Sequence, residues 1–173
     1  YMESQWMPTI LSEAGYSLQV ASIASGSLAF GGMFASILGV AAVARFGSRI
    51  GLMGMAAAGI LVTLGLTQYP TDPSQSAVPL LALLTITGFL VGGLQIMIYS
   101  VATNVYPTAL RSTGIGWAVG VGRVGSVVSP FIATAALSAG GWVSFFLSLA
   151  AGLAVTFLSL GLIRRHSPPN ARK

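Results

Sequence analysis

From Leu18 to Ala44 the chain carries no charged side chain, and the same holds from Ile50 to Tyr69, from Val78 to Leu110 and from Val143 to Ile163. Runs of this length match the ~20 apolar residues that cross a ~30 Å hydrocarbon core as a helix. A helix satisfies its backbone polar groups within one segment, as lipid demands. The charges confirm the pattern by their scarcity. Only 6% of the residues are charged, where a soluble domain has about a quarter. So few charges cannot solvate the surface of a soluble domain, so lipid must cover most of it. The net charge of +5 is not a nucleic-acid signature, because the basic residues sit in separate short loops without interleaved aromatics. The absence of cysteine excludes disulfides and thiolate metal sites. The chain opens on Tyr1 with no basic flank before its apolar residues, so no signal peptide is visible. The start reads as a cut edge and the chain as a fragment.

The expected order is a truncated helix at 1–11, spans at 18–44, 50–68, 78–103, 112–137 and 143–163, and a basic, proline-containing disordered tail at 164–173. Small residues recur along the spans, among them Gly31, Gly32, Gly88, Gly92 and Gly93, and let helices approach closely in lipid. The loop at 69–76 carries two prolines and an aspartate. Pro107 suits the first turn of a short segment at the membrane surface. Pro130 is expected to kink the span that holds it, since it removes a backbone hydrogen bond. A short turn is expected at Ser138–Gly141. Alternation along the chain puts Arg45, Arg49, Arg111, Arg164, Arg165, Arg172 and Lys173 on one side, seven of the eight basic residues. Glu13 and Asp72 fall on the other. The positive-inside rule then places the basic face and the C-terminus in the cytoplasm, across the inner membrane.

The eighth basic residue is Arg123. It lies inside the span at 112–137, roughly 15 Å beyond Thr113 at ~1.5 Å per residue, which is about half the depth of the core. A charge there faces a partner or a watery cavity by default. One reading is an anion or proton-relay site, since a guanidinium grips a carboxylate with two parallel hydrogen bonds. The other is a structural arginine held by a carboxylate or by backbone carbonyls. Gln95 and Tyr99, four residues apart on one helical face, could line a cavity and bond a substrate, or form an interhelical contact. Glu3 could exchange a proton; the plainer reading is a solvated glutamate among the outer headgroups. Trp6, Trp117 and Trp142 read as interface anchors, with Trp117 near enough to Arg111 in sequence to stack on it. Arg45, Arg49 and Arg111 read as topology determinants and secondly as gating residues. No metal cluster, phosphate loop or nucleophile–base set is present, and no cofactor or enzyme activity is expected.

Tyr106-Pro107-Thr108-Ala109-Leu110-Arg111-Ser112-Thr113-Gly114 leads into Gly116-Trp117, Gly120-x-Gly122-Arg123-x-Gly125 and Pro130. This block resembles the tenth-to-eleventh helix region of major facilitator superfamily transporters, in particular the aromatic acid/proton symporter branch. Trp6-x-Pro8-x-x-Leu11-x-x-x-Gly15 is similar to the end of that branch's seventh helix, Gly92-Gly93-x-Gln95 to its tenth, and Arg45-Phe46-Gly47-Ser48-Arg49 to the loop between its eighth and ninth. The resemblance implies an all-α membrane protein: the C-terminal six-helix bundle of a twelve-helix carrier, its first helix truncated, completed by an N-terminal half. It implies a small organic anion, aromatic in that branch, as cargo and a proton as coupling ion, with Arg123, Gln95 and Tyr99 at the substrate and Glu3 as a coupling group. An exporter of drugs or metabolites with the same fold, and a truncated, non-transporting membrane protein, are the alternatives. One departure stands out. The family's loop has a glycine and, four residues on, an acid before the arginine; here Val40 and Ala44 take those places, so Arg45 must find another partner or the gate on this side is weaker.

Overall fold

The computed structural model describes residues 2–69, 76–105 and 110–163. Pro70, Asp72, Pro73, Pro107 and the basic residues of 164–173 lie outside them, as do the side chains of Val40 and Ala44. The described chain is helical: α1 (Met2–Glu13), α2 (Leu18–Phe46), α3 (Ser48–Thr67), α4 (Val78–Val105) and α5 (Arg111–Leu162). Within α2 to α5 lie windows long and apolar enough to cross a membrane.

Hydroxyls inside these helices are satisfied locally. Ser22 donates to Leu18 O at 2.9 Å, Thr63 to Gly59 O at 2.6 Å and Thr85 to Leu81 O at 2.8 Å. Such bonds to the preceding turn let polar residues sit within an apolar span. Helix α1 continues past Leu11 to Glu13, because its end is made by Gly15 rather than by the first polar residue. Gly15 adopts φ 87°; its N–H bonds Ser12 O at 3.1 Å, while Tyr16 N–H bonds Leu11 O at 2.9 Å. That pair of bonds is a glycine-terminated helix stop.

Helix α5 comprises two arms. Helical geometry continues through Pro130, and the departures lie at Gly140 (φ −170°, ψ 23°) and Gly141 (φ 56°, ψ −133°). Only glycine adopts the latter conformation without strain. The chain therefore reverses at the glycine pair, and the proline is absorbed within the first arm.

The bundle packs around two clusters. Met7, Leu11, Leu28, Leu84, Phe145 and Phe146 belong to one; Leu52, Leu94, Met97 and Leu153 belong to the other. Phe30, Ile37, Leu61 and Val127 instead point outward, as lipid-facing side chains do. Helices α2 and α4 make the closest approach, with Gly31 against Thr85 and Phe89, and Gly88 against Leu28. At the turn end of α5, Trp142 is half-buried rather than a free anchor. Its indole N–H donates to Leu66 O at 2.7 Å, near the end of α3, and its ring stacks at a tilt on Phe146, centroids 4.7 Å apart. Leu66 O also accepts Tyr69 N–H at 3.2 Å, so Trp142→Phe loses one bond without orphaning the carbonyl. That substitution should cost about 1 kcal/mol, read as a fall of a few degrees in the unfolding midpoint of the purified protein. Trp117→Phe, at a side chain 73% exposed, should leave the midpoint unchanged.

Candidate functional site

The residues singled out in the sequence fall into three places. The first is the cytoplasm-directed end expected from charge. Arg45 closes the last turn of α2, where a cation complements the helix dipole. Gly47, at φ 82°, turns the chain into α3, and Arg49 stands exposed in its first turn. Arg111 opens α5; its Nε is buried with no hydrogen-bond partner among the described residues. The alternation of helices puts all three arginines at one end of the bundle.

The second place is the first arm of α5. Arg123 lies about 18 Å along it from Arg111 at ~1.5 Å per residue, on an arm of about 42 Å ending near Ala139. It is exposed, and its guanidinium has no partner among the described residues. Among the described residues neither a carboxylate nor a backbone carbonyl holds it. Among the described residues, the arm joins the core cluster toward its far end, through Ala133 and Leu137. A Cβ added at Gly116, Gly120, Gly122 or Gly125 would touch nothing, so these glycines pack against no helix among the described residues. Instead Gly116 and Gly120 open a groove of about 550 Å³ on the arm's outer surface, flanked by Thr113, Trp117 and Val124.

The third place is a cavity of about 190 Å³ between α1, α2 and α4. Glu3 and Ser4 reach it from α1 and Gln95 from α4; Gly32, Gly88 and Gly92 form its flat side. It exists because glycine at the α2–α4 crossing leaves no side chain to fill the space. Glu3 is 5% exposed, not a solvated headgroup glutamate. Packing of α1 on the bundle buries it, and its Oε1 has no hydrogen-bond partner among the described residues. Glu3 is the one buried carboxyl among them. Tyr99, one turn beyond Gln95, is half-buried and does not line the cavity. Gln95 and Glu3 thus line the same cavity. Sequence reasoning paired Gln95 with Tyr99 by helical spacing; the spacing holds no information about which helix faces them.

Comparison with known proteins places this architecture. Residues 4–173 match the family model of the Major Facilitator Superfamily. The gentisate transporter of Corynebacterium glutamicum is 36% identical over 129 residues, covering 74% of this chain and 28% of that protein. The benzoate transport protein of Acinetobacter baylyi is 36% identical over 132 residues, 76% of this chain and 27% of the relative. The gallate transporter of Pseudomonas putida is 30% identical over 164 residues, 94% of this chain and 33% of the relative. The chain spans about a third or less of the length of these relatives.

Proposed function

The chain belongs to the major facilitator superfamily, and from that premise we propose that it is the C-terminal six-helix half of a proton-coupled carrier for aromatic carboxylates. It is a multi-pass membrane protein of a transporter family, not an enzyme. The substrate class rests on relatives named for gentisate, benzoate and gallate. Within the structure, the observation that carries the reading is Arg123: an exposed cation mid-arm, on a helix that this chain leaves largely uncovered. A cation at that depth demands water, an anion or a second protein surface.

In carriers of this kind two bundles rock about a site at their interface near the bilayer midplane. Arg123 would receive the substrate carboxylate through its planar fork, and Gln95 and Tyr99 on α4 would orient the ring. Glu3 would exchange the coupling proton. A second six-helix bundle supplies the opposing wall. Arg45, Arg49 and Arg111 favour the cytoplasmic side of the inner membrane for their end of the bundle, and with it the C-terminus.

A half-carrier has one wall and cannot alternate access. Residues 1–173 in sealed vesicles are therefore expected to accumulate no labelled benzoate or hydroxybenzoate. The full-length carrier should accumulate them under an inward proton gradient and lose them with a protonophore. Accumulation by residues 1–173 alone, or uptake by the full carrier indifferent to the proton gradient, would contradict the proposal.

A further inference from the structure

We propose that the cavity between α1, α2 and α4 is a recognition pocket for the ring hydroxyl of a hydroxylated aromatic acid, with Glu3 as the hydrogen-bond acceptor and Gln95 as its neighbour across the pocket. The inference rests on the aromatic-acid reading above and adds a substituent preference to it.

Three observations carry it. Glu3 is almost fully buried, lines the cavity and has an oxygen without a partner among the described residues. A buried polar atom left unpaired is costly, and a donor on a bound molecule would satisfy it. The volume is about 190 Å³, whereas a water takes roughly 30 Å³ and an apolar cavity of about 150 Å³ admits benzene. The space fits one substituted ring. Finally, the lining has two characters. Gly32, Gly88 and Gly92 offer flat backbone, Leu28 and Val91 give apolar walls, and Glu3 and Gln95 form a polar pole. A ring lies against the first two while its hydroxyl reaches the third, the usual division of labour in a small-molecule pocket.

The hydroxyl leads into the pocket, where Glu3 and Gln95 form the polar pole, and the carboxylate stays at the mouth. Glu3 accepts the phenolic O–H directly, and the amide of Gln95 can donate to the phenolic oxygen. Benzoate fits the same space but leaves Glu3 without its donor. A site built around such a bond discriminates against the analogue that lacks it.

The test uses the full-length carrier and three variants, Glu3→Leu, Glu3→Gln and Gln95→Leu. Uptake of benzoate is compared with that of 2-, 3- and 4-hydroxybenzoate by competition in vesicles. The unaltered carrier should prefer at least one hydroxybenzoate to benzoate. Glu3→Leu should lower that ratio roughly 10–100-fold, read as the ratio of the two acids' KM or Kd within the same variant, so that any loss of proton coupling common to both acids cancels. Glu3→Gln keeps an acceptor oxygen and should retain part of the preference, and Gln95→Leu should lose part of it. Should the variants carry too little substrate to measure, equilibrium binding of the same acids to purified, monodisperse protein gives the same ratio. An unchanged ratio in Glu3→Leu overturns the inference and leaves the cavity to water. An equal loss for benzoate and hydroxybenzoates also overturns it, since that leaves Glu3 with its coupling role alone. If the unaltered carrier takes up no aromatic acid, the functional reading fails and this inference with it.

Discussion

Replacing Gly88 by valine in the full-length carrier is expected to abolish the folded bundle. A Cβ built at Gly88 runs into Leu28 O and lies 2.8 Å from Leu28 C and Cα. These are backbone atoms of α2, which cannot rotate out of the way as a side chain would. On the opposite helix, a Cβ at Gly31 meets Thr85 O and lies 2.7 Å from Phe89 N. The two helices must separate, and close packing is the main force holding helices together in lipid. Overpacking in a well-packed core costs about 1–3 kcal/mol per site, and here the shift propagates along both helices. Gly88→Ala should already lower the yield of monodisperse protein and its unfolding midpoint, and Gly88→Val should leave none to collect. The controls come from the same chain. Gly26, Gly54 and Gly65 have nothing within 4 Å of an added Cβ, so alanine there should be neutral, or stabilising by up to about 1 kcal/mol through helix propensity. Detergent extraction followed by size-exclusion chromatography and a thermal melt separates these outcomes. Equal behaviour of Gly88→Ala and Gly54→Ala would show that the α2–α4 approach is not as close as described.

Arg123→Ala is expected to reduce uptake of aromatic acids by the full-length carrier at least ~100-fold. A hydrogen bond to a charged group contributes about 1.5–3 kcal/mol, and a bidentate guanidinium–carboxylate pair makes two of them. Each 1.4 kcal/mol is about tenfold. Arg123→Lys keeps the charge and loses the fork, so it should retain more uptake than alanine and remain roughly tenfold below the unaltered carrier. Expression and melting should hardly change in either variant, because Arg123 holds no partner within the described bundle. Unchanged uptake in Arg123→Ala would remove Arg123 from the anion site. Loss of uptake accompanied by loss of folded protein would return it to a structural role.

The all-helical membrane character was legible because lipid simplifies the code. A charge inside a span is so costly that, Glu3 and Arg123 apart, the few charges of this chain mark its breaks. Contacts between helices were not legible in the same way. Gly31, Gly88 and Gly93 press against neighbouring atoms, while Gly26, Gly54, Gly116 and Gly120 face open space. Nothing in the glycines themselves separates the two groups, since what differs is the partner helix. The bond from Trp142 to Leu66 O spans 76 positions, and a tryptophan near a span end reads as an anchor whatever it touches. Glu3 was misread for a local reason. Its neighbours Ser4 and Gln5 are polar and suggest a wet edge, yet α1 is turned so that Glu3 faces inward while Ser4 and Gln5 remain exposed. The turn expected at Ser138–Gly141 is found at Gly140 and Gly141, whose glycine composition marks it in the sequence, whereas helical geometry continues through Pro130.

The central claim is that the face of α5 bearing Arg123 lines a watery path for an organic anion. Cysteine at position 123 in the full-length carrier, on a background freed of any other cysteine, tests it most directly. This chain has no cysteine of its own, so the reporter is clean within it. A membrane-impermeant, water-soluble thiol reagent should label Arg123→Cys in sealed vesicles, and benzoate or a hydroxybenzoate should slow the labelling. Labelling only by a lipophilic reagent, at a rate that no aromatic acid changes, would place this face against acyl chains and contradict the account.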